Sequence, residues 1–90
     1  MISVLVPSRN RPTLLRESLS SLGYGDFETL VYIDNDDPSR REYMEVPTTY
    51  TLVGKRYGYP GLQHYINELC KLATGDWLFL WNDDALMKTP

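Results

Sequence analysis

The sequence predicts an α/β fold, a mostly parallel sheet of about four strands flanked by helices. Short apolar runs rich in β-branched or aromatic residues alternate with segments whose apolar residues recur at helical spacing. Strands that alternate with helices favour parallel pairing through right-handed crossovers. With 90 residues, of which 42% are hydrophobic, residues 1–90 are expected to form a single, minimal domain with one modest core.

The first half of the predicted fold begins with a buried strand, Ile2 to Val6, which ends at Pro7. A helix is expected to begin at Pro12 and to end at Gly23, a residue that is common just after a helix. The apolar residues of this helix recur at helical spacing and are Leu14, Leu15, Leu19 and Leu22.

A second apolar run, Leu30 to Ile33, predicts a strand that ends in the acidic stretch Asp34 to Asp37. Asp37 is interpreted as a structural residue that caps a short helix with Pro38 in its first turn. Thr48 to Val53 predicts a third, shorter strand because β-branched and aromatic residues favour strands.

The second half shows the clearest periodicity, which predicts an amphipathic helix ended by Thr74-Gly75. Its apolar stripe consists of Leu62, Tyr65, Ile66, Leu69, Cys70 and Ala73. The run Trp77 to Trp81 is apolar at consecutive positions, which is typical of a central strand covered by helices on both faces. It ends at Asn82-Asp83-Asp84.

Composition excludes several classes of function. The formal net charge is −3 and no run of basic residues is long enough to neutralise several phosphates of a duplex, so nucleic acid is not an expected partner. No apolar run approaches the roughly 20 residues of a membrane-spanning helix, and the N-terminus lacks a signal-peptide pattern. The single cysteine, Cys70, cannot form an intramolecular disulfide, which together with these features predicts a cytoplasmic protein.

The polar ends of the strands predict a binding crevice. Ligands of such sheets bind beyond the carboxyl ends of the strands, where the strand order reverses. If the fourth strand lies beside the first, residues 7–11 and 82–84 line one crevice with Asp34 at its edge. Carboxylates there could hold Mg²⁺ or Mn²⁺, while arginines and backbone N–H groups could contact phosphate oxygens.

These residues, in this order, resemble a known family. The pattern is a strand, Pro7-Ser8-Arg9-Asn10-Arg11, a helix, a strand that ends at Asp34, then Gly61, Asn67, the run Ala73 to Leu80 and an acidic triplet. It is similar to the nucleotide-sugar-binding, N-terminal half of GT-A glycosyltransferases of the family 2 type, and the likeness spans nearly the whole chain.

The resemblance implies a nucleotide-sugar donor site that depends on a divalent metal, Mn²⁺ or Mg²⁺. The implied nucleotide-sugar-binding residues are Pro7, Ser8, Arg9, Asn10, Arg11, Asp34, Asn67 and Asp83. Asn82 and Asp84 match the outer positions of the family's D-x-D motif and are the implied metal ligands. The implied reaction is displacement at the anomeric carbon of a nucleoside diphosphate sugar by the hydroxyl of an unknown acceptor.

The chain departs from the family pattern at three points. Asn82 replaces the first acid of the motif, which should weaken metal affinity, and Asp84 becomes the main expected ligand. Ile66 stands where many relatives have an arginine, so Lys55 or Arg56 would have to supply that diphosphate contact. The sequence ends at Pro90, before the half in which the family places its acceptor site and catalytic base, so no catalytic residue is assigned.

Other classes of function remain open at this stage. A noncatalytic module derived from the same fold would assemble as an oligomer through an exposed sheet edge. A nucleotidyltransferase is less favoured because residues 7–11 contain no glycine. A receiver-like signalling domain is less favoured because no later strand carries the required lysine.

Overall fold

The computed structural model describes residues 1–23 and 25–84 and shows a four-stranded, all-parallel sheet flanked by helices. The predicted α/β class is confirmed. The elements in chain order are β1 (Ile2–Ser8), α1 (Pro12–Ser20), β2 (Phe27–Asp34), α2 (Arg40–Tyr43), β3 (Tyr50–Gly54), a 3₁₀ turn (Tyr59–Gly61), α3 (Leu62–Leu72) and β4 (Trp77–Leu80).

The strand order is β3-β2-β1-β4, so the first strand lies between the second and the fourth. Leu5 of β1 is in register with Leu30 of β2 on one side and with Leu80 of β4 on the other. The chain therefore runs outward from β1 in both directions. The strand order reverses between β1 and β4, the place at which sheets of this kind bind ligands.

Apolar side chains form a separate core on each face of the sheet. The α1 face is built from Val4, Val6, Leu15, Leu19, Val31, Ile33, Tyr43 and Val46. The α3 face is built from Leu5, Leu30, Tyr32, Tyr65 and Leu69. Successive residues of a strand point to opposite faces, so the unbroken apolar runs of β1 and β2 supply both cores.

The position of β4 corrects one expectation. The run Trp77 to Trp81 was expected to form a central strand, but β4 lies at the edge of the described sheet. All four of its side chains are exposed, and Trp77 is 73% exposed. Consecutive apolar residues show that a strand is suited to burial on both faces, whereas its burial depends on which elements pack against it.

The connection after β2 supports the structural interpretation of Asp37. This carboxylate is buried and accepts hydrogen bonds from the backbone N–H groups of Asn10 (2.8 Å) and Ser39 (2.7 Å). It therefore joins the β1 and β2 loops. The helix itself begins later than expected, at Arg40, with Ser39 as its N-cap. The expectation that Asp37 caps this helix is therefore wrong, and Pro38 lies before its first turn.

Glu28 of β2 anchors the lead into β4 in a comparable way. Its buried carboxylate accepts hydrogen bonds from the hydroxyl (2.8 Å) and the backbone N–H (3.2 Å) of Thr74. Within residues 1–23 and 25–84, none of the helices has the length and apolar character needed to cross a lipid bilayer.

Candidate functional site

A cleft of about 590 Å³ opens at the carboxyl ends of β1, β2 and β4, next to the reversal of strand order. Its lining consists of Pro7, Ser8, Arg9, Arg11, Tyr32, Asp34, Arg56, Gly58, Leu62, Tyr65, Asn82, Asp83 and Asp84. The cleft thus combines the loop after β1, the end of β2, the loop before α3 and the turn after β4. Its walls contain arginines and carboxylates in close proximity.

The predicted site residues largely converge here. Those that line the cleft are Pro7, Ser8, Arg9, Arg11, Asp34, Asn82, Asp83 and Asp84. Asn10 and Asn67 are not part of the lining. Asn67 is exposed on α3. Asn10 has a positive φ of 52° and its side-chain oxygen accepts a hydrogen bond from the Ser39 hydroxyl at 2.5 Å. Asn10 therefore shapes the turn that presents its two arginine neighbours.

Asp34 lies buried at the β2 end of the cleft. It is 3% exposed, and both of its carboxylate oxygens have partners. Oδ2 accepts a hydrogen bond from Arg9 Nη1 at 2.7 Å, and Oδ1 accepts one from the Tyr65 hydroxyl at 2.8 Å. A buried carboxylate needs such partners because burial without them is costly.

Arg9 holds two acids at once, since Nη1 also lies 2.9 Å from Asp36 Oδ1. These contacts raise the pKa of Arg9, with the Asp36 hydrogen bond as the largest cause, followed by the one to Asp34. The same guanidinium lowers the pKa of Asp36. Arg9 is predicted to bind the nucleotide sugar, and in this structure its guanidinium pairs with carboxylates at the end of β2.

Two tyrosines that the sequence placed only in the core also contribute to the site. The Tyr65 hydroxyl accepts hydrogen bonds from the backbone N–H groups of Tyr57 and Gly58, both at 2.8 Å, in addition to its bond to Asp34. The Tyr32 hydroxyl donates to the carbonyl oxygen of Lys55 at 2.8 Å. Burial is the largest cause that raises the pKa of Tyr65, and it raises the pKa of Tyr32 to about 12.

The apolar stripe of α3 predicted that Tyr65 is buried, which is correct, but it carried no information about the hydroxyl. The available signal was chemical, because a buried tyrosine hydroxyl usually finds a hydrogen-bond partner. The identity of that partner depends on the position of the β2 end relative to α3.

At the end of β4, a chain of hydroxyl groups holds Asp83. The buried Asp83 Oδ2 accepts a hydrogen bond from Ser8 Oγ at 2.8 Å. Because that bond uses the single hydrogen of Ser8, the Tyr43 hydroxyl must donate in its 2.8 Å contact with Ser8 Oγ. The same Tyr43 oxygen accepts the backbone N–H of Arg11 at 3.0 Å. Asp83 is therefore tied to the β1 loop.

Asp84 contrasts with Asp83, because its side chain is 57% exposed. Among the described residues, its nearest cation is Arg11, whose Nη1 lies 3.7 Å from Asp84 Oδ2 and 3.4 Å from Asp83 Oδ1. The preceding residues fix the turn, since the Trp81 indole N–H donates to Ser18 Oγ at 2.6 Å and that hydroxyl donates to the Asn82 carbonyl at 3.2 Å.

The side-chain oxygen atoms of the turn after β4 are of the type that binds a hard divalent cation. The Asn82 amide oxygen and the Asp84 carboxylate are the oxygen ligands that Mg²⁺ and Mn²⁺ prefer, and they lie in a cleft large enough to admit further oxygens from a ligand. In the described ranges, 1–23 and 25–84, His, Cys, Asp and Glu side chains form no group of three that could hold a metal ion.

Comparisons with known proteins identify the fold. No family model and no curated protein sequence matches the chain. The structure of S. aureus TarS 1-349 is similar with a TM-score of 0.66 and 22% identity, over 94% of this chain and 28% of that one. The mannosyltransferase PcManGT from Pyrobaculum calidifontis, in complex with GDP-Man and Mn²⁺, is similar with a TM-score of 0.74 and 26% identity, over 98% of this chain and 28% of that one.

These likenesses confirm the resemblance to GT-A-type glycosyltransferases that the sequence implied. The described sheet has the Rossmann-like α/β arrangement of these structural neighbours. The chain spans 28% of the length of each of these two proteins.

Proposed function

We propose that this chain is the donor-binding part of a glycosyltransferase and that its cleft binds a nucleoside diphosphate sugar together with Mn²⁺ or Mg²⁺. The observation that carries the proposal is the convergence of residues 7–11, Asp34 and residues 82–84 around one cleft at the reversal of strand order. The similarity to a mannosyltransferase solved with GDP-Man and Mn²⁺ supports it.

The two ends of the cleft have different proposed roles. The β2 end, with Asp34 and the β1 loop, binds the nucleoside through its ordered carboxylate and nearby backbone. The β4 end binds the diphosphate and the metal, with Asp84 and Asn82 as ligands. Arg11 lies between Asp83 and Asp84 and is placed to turn its charge toward phosphate oxygens. Asn10 and Asn67 are retained as donor-site residues only through the family resemblance.

The metal, when bound, stabilises negative charge on the departing diphosphate. The chain's own residues orient the donor at both ends of the cleft, and Asp83 keeps the β4 turn in place through Ser8. Transfer of the sugar to an acceptor hydroxyl requires a general base within hydrogen-bond reach. We assign no such base to the described residues and propose that it and the acceptor site are supplied by further polypeptide.

Calorimetric titration of UDP and of GDP into the purified chain with Mn²⁺ tests the proposal. We expect binding in Mn²⁺ and a loss of binding in EDTA. Asp84→Ala and Asn82→Ala should each weaken the metal-dependent binding, with the larger effect for Asp84→Ala because it removes a charge. Glu17→Ala is the matched control, because Glu17 is an exposed acid on α1 that does not line the cleft.

Two outcomes would contradict the proposal. One is nucleotide binding that is unchanged in EDTA and in Asp84→Ala. The other is a folded chain that binds neither nucleotide but forms oligomers in light scattering, as the noncatalytic assembly module predicts.

A further inference from the structure

The loop between β3 and α3 forms one wall of the cleft without regular secondary structure of its own. Arg56 and Gly58 line the cleft, and residues 55–58 belong to neither a strand nor a helix. Their backbone is instead held by side-chain hydroxyls, since Tyr32 bonds to the Lys55 carbonyl and Tyr65 bonds to the N–H groups of Tyr57 and Gly58.

The Tyr65 hydroxyl uses its full hydrogen-bonding capacity. A phenolic hydroxyl has one hydrogen and two acceptor positions. The two acceptor positions receive the N–H groups of Tyr57 and Gly58, so the hydrogen must point at Asp34 Oδ1. All three distances are 2.8 Å. The Tyr65 hydroxyl therefore fixes the position of both the loop backbone and the Asp34 carboxylate.

Packing holds the Tyr65 ring in the position that this geometry requires. Tyr65 is 8% exposed, and its ring packs edge-on against Tyr32 at 4.8 Å and Tyr57 at 5.3 Å between centroids. A tyrosine hydroxyl is protonated at neutral pH, and burial raises the pKa of this one further, so its proton is available for donation to Asp34. The ring is therefore structural, whereas the hydroxyl has a separate task.

We infer that Tyr65 is a positioning residue for nucleoside recognition, whose hydroxyl orients the Asp34 carboxylate and the loop of residues 55–58 before a nucleotide binds. This inference rests on the proposed function and goes further by assigning nucleoside recognition to a residue outside the resembled motifs. With Arg9 on Oδ2 and Tyr65 on Oδ1, the plane of the Asp34 carboxylate is fixed. A preset acceptor binds a ligand's donor groups without a further cost of ordering.

Tyr65→Phe tests the inference because it removes the hydroxyl and keeps the ring in the core. We expect nucleotide binding in Mn²⁺ to weaken about tenfold, as for the loss of a hydrogen bond to a charged group. Binding of inorganic pyrophosphate in Mn²⁺ should stay unchanged, since pyrophosphate has no nucleoside to reach Asp34. Tyr50→Phe is the control, because Tyr50 is an exposed tyrosine at the start of β3.

Hydrogen exchange of the ligand-free protein supplies a second measurement. The amides of Tyr57 and Gly58 should exchange about tenfold faster in Tyr65→Phe, while the Leu69 amide within α3 should not change. A general loosening of α3 would accelerate all three amides and would overturn the inference.

The binding measurements distinguish failure of the inference from failure of the proposed function on which it rests. Equal nucleotide affinity in Tyr65→Phe and Tyr50→Phe would overturn the inference alone, as would an equal loss of nucleotide and pyrophosphate binding. Binding of pyrophosphate but of neither nucleotide by the unaltered chain would overturn the proposed function, and with it the role of Tyr65.

Discussion

Strands β2 and β4 have similar apolar sequences but opposite surroundings. Residues 28–34 of β2 are buried, whereas every side chain of β4 is exposed. Strand β2 lies inside the sheet between β1 and β3, with helices over both faces. Strand β4 has only β1 beside it in the described residues. The comparison teaches that an apolar strand sequence is necessary for burial, while the position of the strand in the sheet decides it.

The aspartates at the carboxyl ends of the two strands differ in exposure in the same way. Asp34 is enclosed, and each of its oxygens has a short hydrogen bond. Asp84 is more than half exposed, and Arg11 lies at the longer distance of 3.7 Å from it. An enclosed carboxylate with fixed partners is suited to accept a hydrogen bond from one defined group of a ligand. An open carboxylate is suited to bind a metal ion that is also coordinated by water and by ligand oxygens.

The largest expected effect comes from truncating one leucine in each of the two strands. Leu30→Ala in β2 removes a buried side chain and should lower the free energy of unfolding by about 2–5 kcal/mol. Leu78→Ala in β4 removes an exposed side chain and should change it by less than about 0.5 kcal/mol. Urea denaturation measures both. A cost for Leu78→Ala equal to that for Leu30→Ala would mean that β4 is covered in solution.

A smaller effect is expected where β4 is attached to β1. A Cβ atom at Gly75 would lie 2.6 Å from Ser3 Oγ and 2.8 Å from the Met1 carbonyl oxygen, closer than van der Waals contact allows. Gly75→Ala should therefore displace the start of β4 and lower the free energy of unfolding by about 1–3 kcal/mol. Thermal or urea denaturation measures the loss. An unchanged stability would show that β4 is only loosely attached to β1.

The smallest expected effect is a dependence of stability on pH that reports the burial of Tyr32 at the β2 end of the cleft. Burial raises the pKa of Tyr32 from 10.0 to about 12, so the unfolded chain loses this proton at lower pH than the folded one. The stabilisation that protonated Tyr32 contributes is fully present below pH 10 and is lost as the pH rises toward 12. Between these limits the free energy of unfolding should fall by about 1 kcal/mol per pH unit.

Urea titrations between pH 10 and 12 measure this slope for the unaltered chain and for Tyr32→Phe. The variant should lose less stability over the interval, because it lacks the ionisable hydroxyl. Parallel pH profiles for the two proteins would show that the Tyr32 hydroxyl is not buried in solution.

Most of the fold follows from local patterns in the sequence. The spacing of leucines in α1, the stripe of α3 and the apolar runs of β1 and β2 are each decided by neighbouring residues, and the structure confirms these elements with boundaries shifted by a few residues. The family resemblance and the polar strand ends likewise pointed to the residues around Asp34 and residues 82–84.

The partners of the site residues could not be predicted in the same way. Arg9 pairs with Asp34 and Asp36, which lie 25 and 27 positions away in the chain. Tyr65 reaches Asp34 across 31 positions. Contacts of this kind depend on how α3 and the β1 loop sit over the end of β2, and no local pattern encodes that arrangement.

The sequence by itself determined the alternation of strands and helices, the acids at the strand ends and the resemblance to GT-A-type glycosyltransferases, because periodicity and short motifs are properties of adjacent residues. Only the tertiary structure decided that β4 lies at an edge of the described sheet, that Asp34 is enclosed while Asp84 is open, and that a core tyrosine holds the cleft loop. These features are fixed by packing between distant segments, where the burial of a polar group forces it to find a partner.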